Sequence, residues 1–363
     1  MNSRDPAPDK PLISATTLAD AGLIAPAAIA DVDRVARRYA VRVTPEMAAL
    51  MTGDDAAAAA MRRQFLPDPA ELETTPDERL DPIGDDANSP LPGLVHRYPD
   101  RVLLKPIHVC PVYCRFCFRR ETVGAERAMT PAEIDAAFAY IAERREIWEV
   151  ILTGGDPLML KPAMLQRIVK AAEAIPHLAI LRIHSRVPIA DPGRIDGDII
   201  HAIKGTGRLA SYVSVHCNHA AELTPAATAA LARLADAGLP LLGQTVLLKG
   251  VNNDVDTLTT LMRGLVAARV RPYYLHHPDL APGTARFRLG LAEGQRLVAG
   301  LRGRISGLCQ PTYVIDVPGG YGKAPAGPAY AEPLADGASW RLRDPFGGAH
   351  VYSPDVAGPT GDC

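Results

Sequence analysis

The rhythm of apolar positions changes near residue 100. From there to about residue 318, short β-rich runs alternate with helical ones: "RVLLKPIHV", "EVILTGG", "AILRIHS", "ASYVSVHC", "LLGQTVLL", "RPYYLHH" and "TYVIDV". Runs of this length, rich in Val, Ile and Tyr and bounded by Gly, Pro and polar residues, predict strands. Five of them begin at about residues 149, 179, 210, 241 and 271, and this spacing is that of a strand-plus-helix unit. "MTPAEIDAAFAYIAERREI" supplies one intervening helix, with Thr130 and Glu133 as a capping box and Pro131 just inside. "TPAATAALARLADAGLP" supplies another and ends at Gly238, a C′ glycine.

The polar motifs fall just past the ends of successive strands: three cysteines, then "GGDP", "HSR", "HCNH", "HHPD" and "DVPGGYGK". A βα barrel gathers its site at the C-terminal ends of many strands, whereas a doubly wound sheet gathers ligands at one switch point. The pattern therefore predicts an α/β fold, a partial (βα) barrel spanning residues 91–318. Residues 1–90 read as a helical extension, carried by "TLADAGLI", "IADVDRVARRYA" and "TPEMAALM" with Thr44 and Pro45 at a helix start. "LPDPAELETTPDERLDPIGDDANSPLPG" reads as a polar connector crossing the surface. Residues 319–363 form a C-terminal segment.

Composition narrows the function. With 39 basic and 41 acidic side chains, the chain lacks the basic excess of a nucleic-acid binder. No signal peptide and no membrane-length apolar run is visible, so a cytoplasmic protein is expected. Three of the six cysteines, Cys110, Cys114 and Cys117, sit within "CPVYCRFCFRR"; the clustering suits a metal or redox site, not a disulfide framework. Zinc normally takes four ligands, and His108 could complete such a set, but Cys217, Cys309 and Cys363 are isolated and supply no second ligand couple. A [4Fe–4S] cluster held by three thiolates leaves one iron open to an exogenous ligand.

The Cys-x3-Cys-x2-Cys spacing, with Phe116 before the last cysteine, resembles the signature of the radical S-adenosylmethionine (SAM) superfamily. The resemblance implies that the open iron chelates SAM, whose reductive cleavage gives a 5′-deoxyadenosyl radical. It also implies that Gly154, Gly155 and Asp156 of "GGDP", His184, Ser185 and Arg186 of "LRIHSRVP", and Gln244 of "GQTVLLKGVNND" line the SAM pocket.

"DVPGGYGKAPAGPAY" places three glycines just before Lys323. In isolation this is a permissive loop bearing a solvated lysine. In this context it resembles the pyridoxal-phosphate loop of the lysine 2,3-aminomutase family, in which this lysine carries the cofactor. "HRYPDR", "NHAAELT", "LRGRISGLC" and "PTYVIDVPGG" extend the resemblance from about residue 90 to the end of the chain. It implies an isomerase that interconverts L-lysine and β-lysine by a radical 1,2-amino shift, with a reductant such as flavodoxin or ferredoxin. Arg97 and Arg101 are then candidates for the phosphate, Arg119 for the substrate carboxylate, and Asp279 and Asp316 for the distal ammonium. Asp316 interrupts an apolar strand, where an unpaired carboxylate is costly to bury.

Three alternatives stay open from the sequence. One is the family branch that makes β-lysine for translation elongation factor P; "CFRR" is similar to it, although Asp316 departs from its pattern. Another is an aminomutase for a different cationic amino acid. The third is a zinc- or cluster-stapled binding module without catalysis. Longer family members carry a C-terminal zinc-binding cysteine cluster at a subunit interface; only Cys363 follows Cys309 here, so an oligomer is possible but its form stays open.

Overall fold

A computed structural model describes residues 10–354. Four helices open the chain: α1 (Ala15–Asp20), α2 (Ile29–Ala36), α3 (Pro45–Ala49) and α4 (Ala56–Phe65). Ser14, Thr44 and Asp55 cap α1, α3 and α4 with side-chain oxygens that accept otherwise unpaired backbone N–H groups.

The central sheet follows. A hairpin of β1 (Leu94–Tyr98) and β2 (Arg101–Ile107) leads to α5 (Pro131–Ala142), β3 (Glu149–Gly154), α6 (Pro162–Glu173) and β4 (Ile180–Ser185). Next come α7 (Val187–Ala190), α8 (Gly197–Lys204), β5 (Ala210–His216), α9 (Pro225–Asp236), β6 (Leu241–Val246) and α10 (Val255–Ala267). The series ends with β7 (Val270–His276), α11 (Leu291–Leu301), β8 (Thr312–Val317) and β9 (Gly322–Pro325). The nine strands pair in chain order; β2 through β8 run parallel, and an antiparallel strand flanks each end. This is the expected partial barrel. Beyond it, β10 (Ala331–Pro333), β11 (Trp340–Arg343) and β12 (Ala349–Tyr352) form a separate antiparallel sheet.

The period of two along each strand gives the sheet its two characters. Val150 and Leu152, Leu181 and Ile183, and Val213 and Val215 are buried in the continuous core. That core also contains Ile134 and Phe138 of α5, Leu165 and Ile168 of α6, and Leu231 and Leu234 of α9. The alternate positions, Glu149, Ile151 and Thr153, Arg182 and His184, Ser214 and His216, Gln244 and Val246, line one internal cavity. Burying a Leu- or Ile-sized side chain stabilises a fold by about 1.5–3 kcal/mol, so the apolar alternates secure the fold while the cavity-facing alternates, apart from Ile151 and Val246, carry polar groups.

The connector over residues 66–93 departs from the sequence expectation. It crosses the surface at residues 73–77, which are exposed, but residues 82–85 turn inward and pack where β1 and β9 remain unpaired. A Cβ on Gly84 would lie 2.5 Å from the Gly320 backbone, and Tyr98 Oη accepts a 2.7 Å hydrogen bond from Lys323 N. Glu71, Ile83 and Asp85 are buried. Polar residues can be buried when they are paired, and Glu71 receives Arg115 in a bidentate pair together with Arg120. Those partners lie some 44 to 49 positions away, out of reach of any local pattern.

Candidate active site

The cavity has a volume of ~610 Å³ and is lined from every strand between β1 and β9, within the range of small-molecule sites. Every residue that the family resemblance assigns to a site lines it: Cys110, Cys114, Cys117, Gly154, Gly155, Asp156, His184, Ser185, Arg186, Gln244, Arg97, Arg101, Arg119, Asp279, Asp316 and Lys323. Residues up to 226 positions apart in the chain, Arg97 and Lys323, thus line one cavity.

The cysteine loop follows β2 and is anchored by its backbone. Tyr113 N donates to Arg42 O at 2.9 Å, Arg115 N to Gln64 O at 2.8 Å, and Gly124 N to His108 O at 2.7 Å. The three thiols are half-buried at the cavity edge. Burial raises all three thiol pKa values, that of Cys117 to about 11. Among the described residues, no three His, Cys, Asp or Glu side chains converge closely enough to hold a metal ion as they stand. His108 turns away from the thiols, with Nε2 3.4 Å from Glu126. Cys217 and Cys309 are buried in the core, and Cys363 lies outside the described residues.

The glycine pair is dictated by close backbone approach. A Cβ on Gly155 would come within 2.6 Å of Val109 N, and Gly154 has φ +103°. Asp156 accepts from Ser185 Oγ (2.8 Å), Arg186 N (2.6 Å), Val187 N (3.1 Å) and Leu158 N (3.0 Å). Its carboxyl therefore braces the β3 and β4 exits. Burial nevertheless pushes its pKa up to about 6 against those bonds. His184 lies 3.5 Å from the Gln244 amide, and burial, with Arg182 nearby, holds its imidazole neutral. His216 Nε2 and Ser214 Oγ are buried without hydrogen-bond partners among the described residues.

At the opposite wall, Lys323 Nζ donates to both oxygens of Asp316 at 2.7 Å. Burial alone would raise the pKa of Asp316; His276 and Lys323 outweigh it and hold the carboxyl well below the usual range. Gly322 has φ +92°, and a Cβ there would meet Tyr98 Oη at 2.6 Å, so the residue before Lys323 must be glycine. Asp279 has no ion pair or side-chain hydrogen bond among the described residues. Burial first, then the charge of Asp316, pushes its pKa up to about 7.

Asp85 organises the cations. Its Oδ1 accepts from Arg97 at 3.0 Å and its Oδ2 from Arg119 at 2.9 Å, with Lys105 3.6 Å away. Arg119 also donates to Thr153 Oγ1 at 3.3 Å. The Nε atoms of Arg97 and Arg119 are buried and have no hydrogen-bond partner among the described residues. Arg101 is more open, paired with Asp100 at 2.6 Å and stacked 3.8 Å over the Tyr98 ring.

The model of the radical SAM superfamily matches residues 104–261, a span covering the cysteine loop and strands β3 to β6. An L-lysine 2,3-aminomutase of Escherichia coli (strain K12) is 37% identical over 72% of this chain and 76% of its own length. The chain belongs to the lysine 2,3-aminomutase family. Another member, an L-lysine 2,3-aminomutase of Fusobacterium nucleatum subsp. nucleatum, is 43% identical over 74% of this chain and 63% of its own length. A glutamate 2,3-aminomutase of Clostridioides difficile is 36% identical over 73% and 62%. The chain thus spans somewhat under two thirds of the length of the curated relatives at the highest identities. Within the family, lysine and glutamate are separated by only a few per cent of identity, so the choice of substrate has to come from the site.

The sequence reading missed Asp85, Tyr98 and His216. Asp85 lay in a run of acids that looked solvated, and nothing local marked it. His216 did carry a signal, since it follows Ser214 with period two at a strand end.

Proposed function

We propose that this chain interconverts L-lysine and β-lysine by a radical 1,2-amino shift, using a [4Fe–4S] cluster, SAM and pyridoxal phosphate in the one cavity. The donor sets fit these groups. Cys110, Cys114 and Cys117 offer three soft thiols from one loop at the cavity edge, a set suited to iron–sulfur ligation. His216 and Ser214 present unpartnered polar atoms, and Gly154 and Gly155 present backbone, as a polar nucleoside and amino acid require. Lys323 supplies the amine for pyridoxal phosphate, and Arg97 and Arg101 the cations for its phosphate, where a planar guanidinium donates in pairs. When bound, cluster and SAM supply the radical that removes a hydrogen, and pyridoxal phosphate supplies the π system across which nitrogen migrates.

The chain's own residues orient the substrate. Arg119, held by Asp85 and Thr153, takes the α-carboxylate; Asp279 and Asp316 take the distal ammonium. The neutral imidazoles of His184 and His216 add no charge between these ends. Electron supply falls to a low-potential donor such as flavodoxin or ferredoxin.

Asp279 is the observation that carries the choice of lysine. A half-buried carboxyl with weakened acidity and no ion pair among the described residues is costly to ionise, and an arriving ammonium removes that cost. A glutamate side chain would bring a second carboxylate to the same place. The test is turnover by anaerobically reconstituted protein of L-lysine, L-arginine, L-ornithine and L-glutamate in parallel. Conversion of lysine with no conversion of glutamate is expected; preferred turnover of glutamate or arginine overturns the assignment.

A further inference from the structure

Behind the cysteine loop lies a buried polar network that the proposed reaction does not use. Arg186, 6% exposed, donates from one guanidinium nitrogen to Cys114 Sγ at 3.0 Å. Its other terminal nitrogen donates to Gln64 Oε1 at 3.1 Å and to the Glu222 carboxylate. Glu222 is fully buried and also accepts from Gln64 Nε2 (3.2 Å), Asn218 N (3.0 Å) and His219 N (2.9 Å). Gln64 Oε1 takes a further bond from Asn218 Nδ2 at 3.0 Å, and the guanidinium packs 4.7 Å over the Phe65 ring. One terminal nitrogen is thus fixed by Gln64 and Glu222 and the other is directed at the sulfur, while Nε has no hydrogen-bond partner among the described residues.

Stability does not explain this arrangement. A buried ion pair is often no better for a fold than well-packed apolar residues, and Glu222 alone would neutralise Arg186. What remains is a fixed cation and N–H donor directed at one sulfur of a three-cysteine set. Building on the cluster assignment above, we infer that Arg186 is a positioning residue that tunes the cluster through the Cys114 sulfur. Adding an electron to a thiolate-ligated cluster increases the negative charge on its sulfurs. A hydrogen bond from a fixed cation therefore favours the reduced state over the oxidised one, and hydrogen bonds to the sulfurs are a known determinant of such potentials. Arg186 thereby makes the cluster easier to reduce. The network also gives the N-terminal helices a part in the site, because Gln64 on α4 helps to aim the guanidinium.

The test uses the full chain, reconstituted anaerobically with iron and sulfide, as wild type, Arg186→Met and Arg186→Lys. Iron content and the cluster absorbance report on the cluster itself. An EPR-monitored redox titration reports on Arg186. With iron content retained, Arg186→Met is expected to lower the reduced-to-oxidised ratio at a fixed potential at least tenfold, a midpoint ~59 mV more negative for one electron. Arg186→Lys is expected to fall between Arg186→Met and wild type. In wild-type protein labelled with guanidino-¹⁵N-arginine, the echo envelope of the reduced cluster is expected to show a ¹⁵N coupling that Arg186→Lys loses, and a coupling that persists unchanged in Arg186→Lys overturns the inference. An unchanged midpoint in iron-replete Arg186→Met, or no ¹⁵N coupling in wild type, overturns the inference while leaving the cluster in place. A wild-type protein that takes up no iron overturns the cluster reading, and this inference with it.

Discussion

Replacing Asp279 with asparagine keeps the shape of the cavity and removes one charge from its ammonium end. The free carboxyl, at about 7, is mostly protonated at pH 6 and mostly ionised at pH 8. Bound lysine needs the ionised form, so the apparent affinity of the wild type for lysine should rise about 10-fold between those pH values and then level off. Losing one charge-assisted hydrogen bond of about 1.5–3 kcal/mol should weaken lysine use roughly 10- to 150-fold in Asp279→Asn. The pH rise should disappear with it.

Stability gives an independent check. The folded-state pKa of Asp279 lies above its ordinary value of 3.8, so the protonated form is favoured by folding. Its contribution is fully present below about pH 4 and is lost as pH rises through about 7. At pH 8 the wild type therefore bears a penalty, up to about 4 kcal/mol and less where cavity water solvates the carboxylate. Asp279→Asn should melt at a higher temperature than wild type at pH 8, and the difference should vanish near pH 4. Steady-state kcat/KM for lysine across pH 6–8 and melting curves on the same preparations test both expectations. Lysine kinetics and a pH profile in Asp279→Asn that match wild type would refute the role given to this carboxyl.

Three other outcomes can be checked directly. Borohydride treatment of protein loaded with pyridoxal phosphate, followed by peptide mapping, should place the adduct on Lys323, and Lys323→Ala should lose it while keeping its iron; an adduct on Lys105 or Lys249 would contradict the assignment. Cys110→Ala, Cys114→Ala and Cys117→Ala should each lose the reconstituted cluster spectrum, whereas Cys217→Ala and Cys309→Ala should keep it. Asp85→Ala frees Arg97 and Arg119 together, so KM for lysine should rise on the order of 10-fold and the affinity for pyridoxal phosphate should fall in parallel; a change in only one would separate the two arginines.

Much of the fold was legible because its determinants are local. The strands expected to begin at about residues 149, 179, 210, 241 and 271 begin at Glu149, Ile180, Ala210, Leu241 and Val270. Helices α5 and α9 start at the caps expected for them, Thr130 and Thr224. Caps and alternation are relations between near neighbours, so a chain carries them before it folds. The same holds for the cysteine spacing and the glycines before Lys323, where chemistry is written into consecutive residues.

The charge network was not legible in this way. Asp85 gathers Arg97 and Arg119, Glu71 gathers Arg115 and Arg120, Arg186 reaches Cys114 across 72 positions, and Asp316 turns to Lys323 on the neighbouring strand. Asp85, Glu71, Arg115 and Arg120 look, in sequence, like ordinary solvated charges, and even Asp316, marked by its apolar strand, does not reveal its partner there. Whether a charge is solvated, paired or left alone in a dry cavity depends on which loops the curved sheet brings together, and its energy changes by several kcal/mol between those fates. The sequence by itself determined the elements and the reactive groups; the closing of the sheet around one cavity decided which charges are neutralised, and left Asp279 facing that cavity without an ion pair among the described residues.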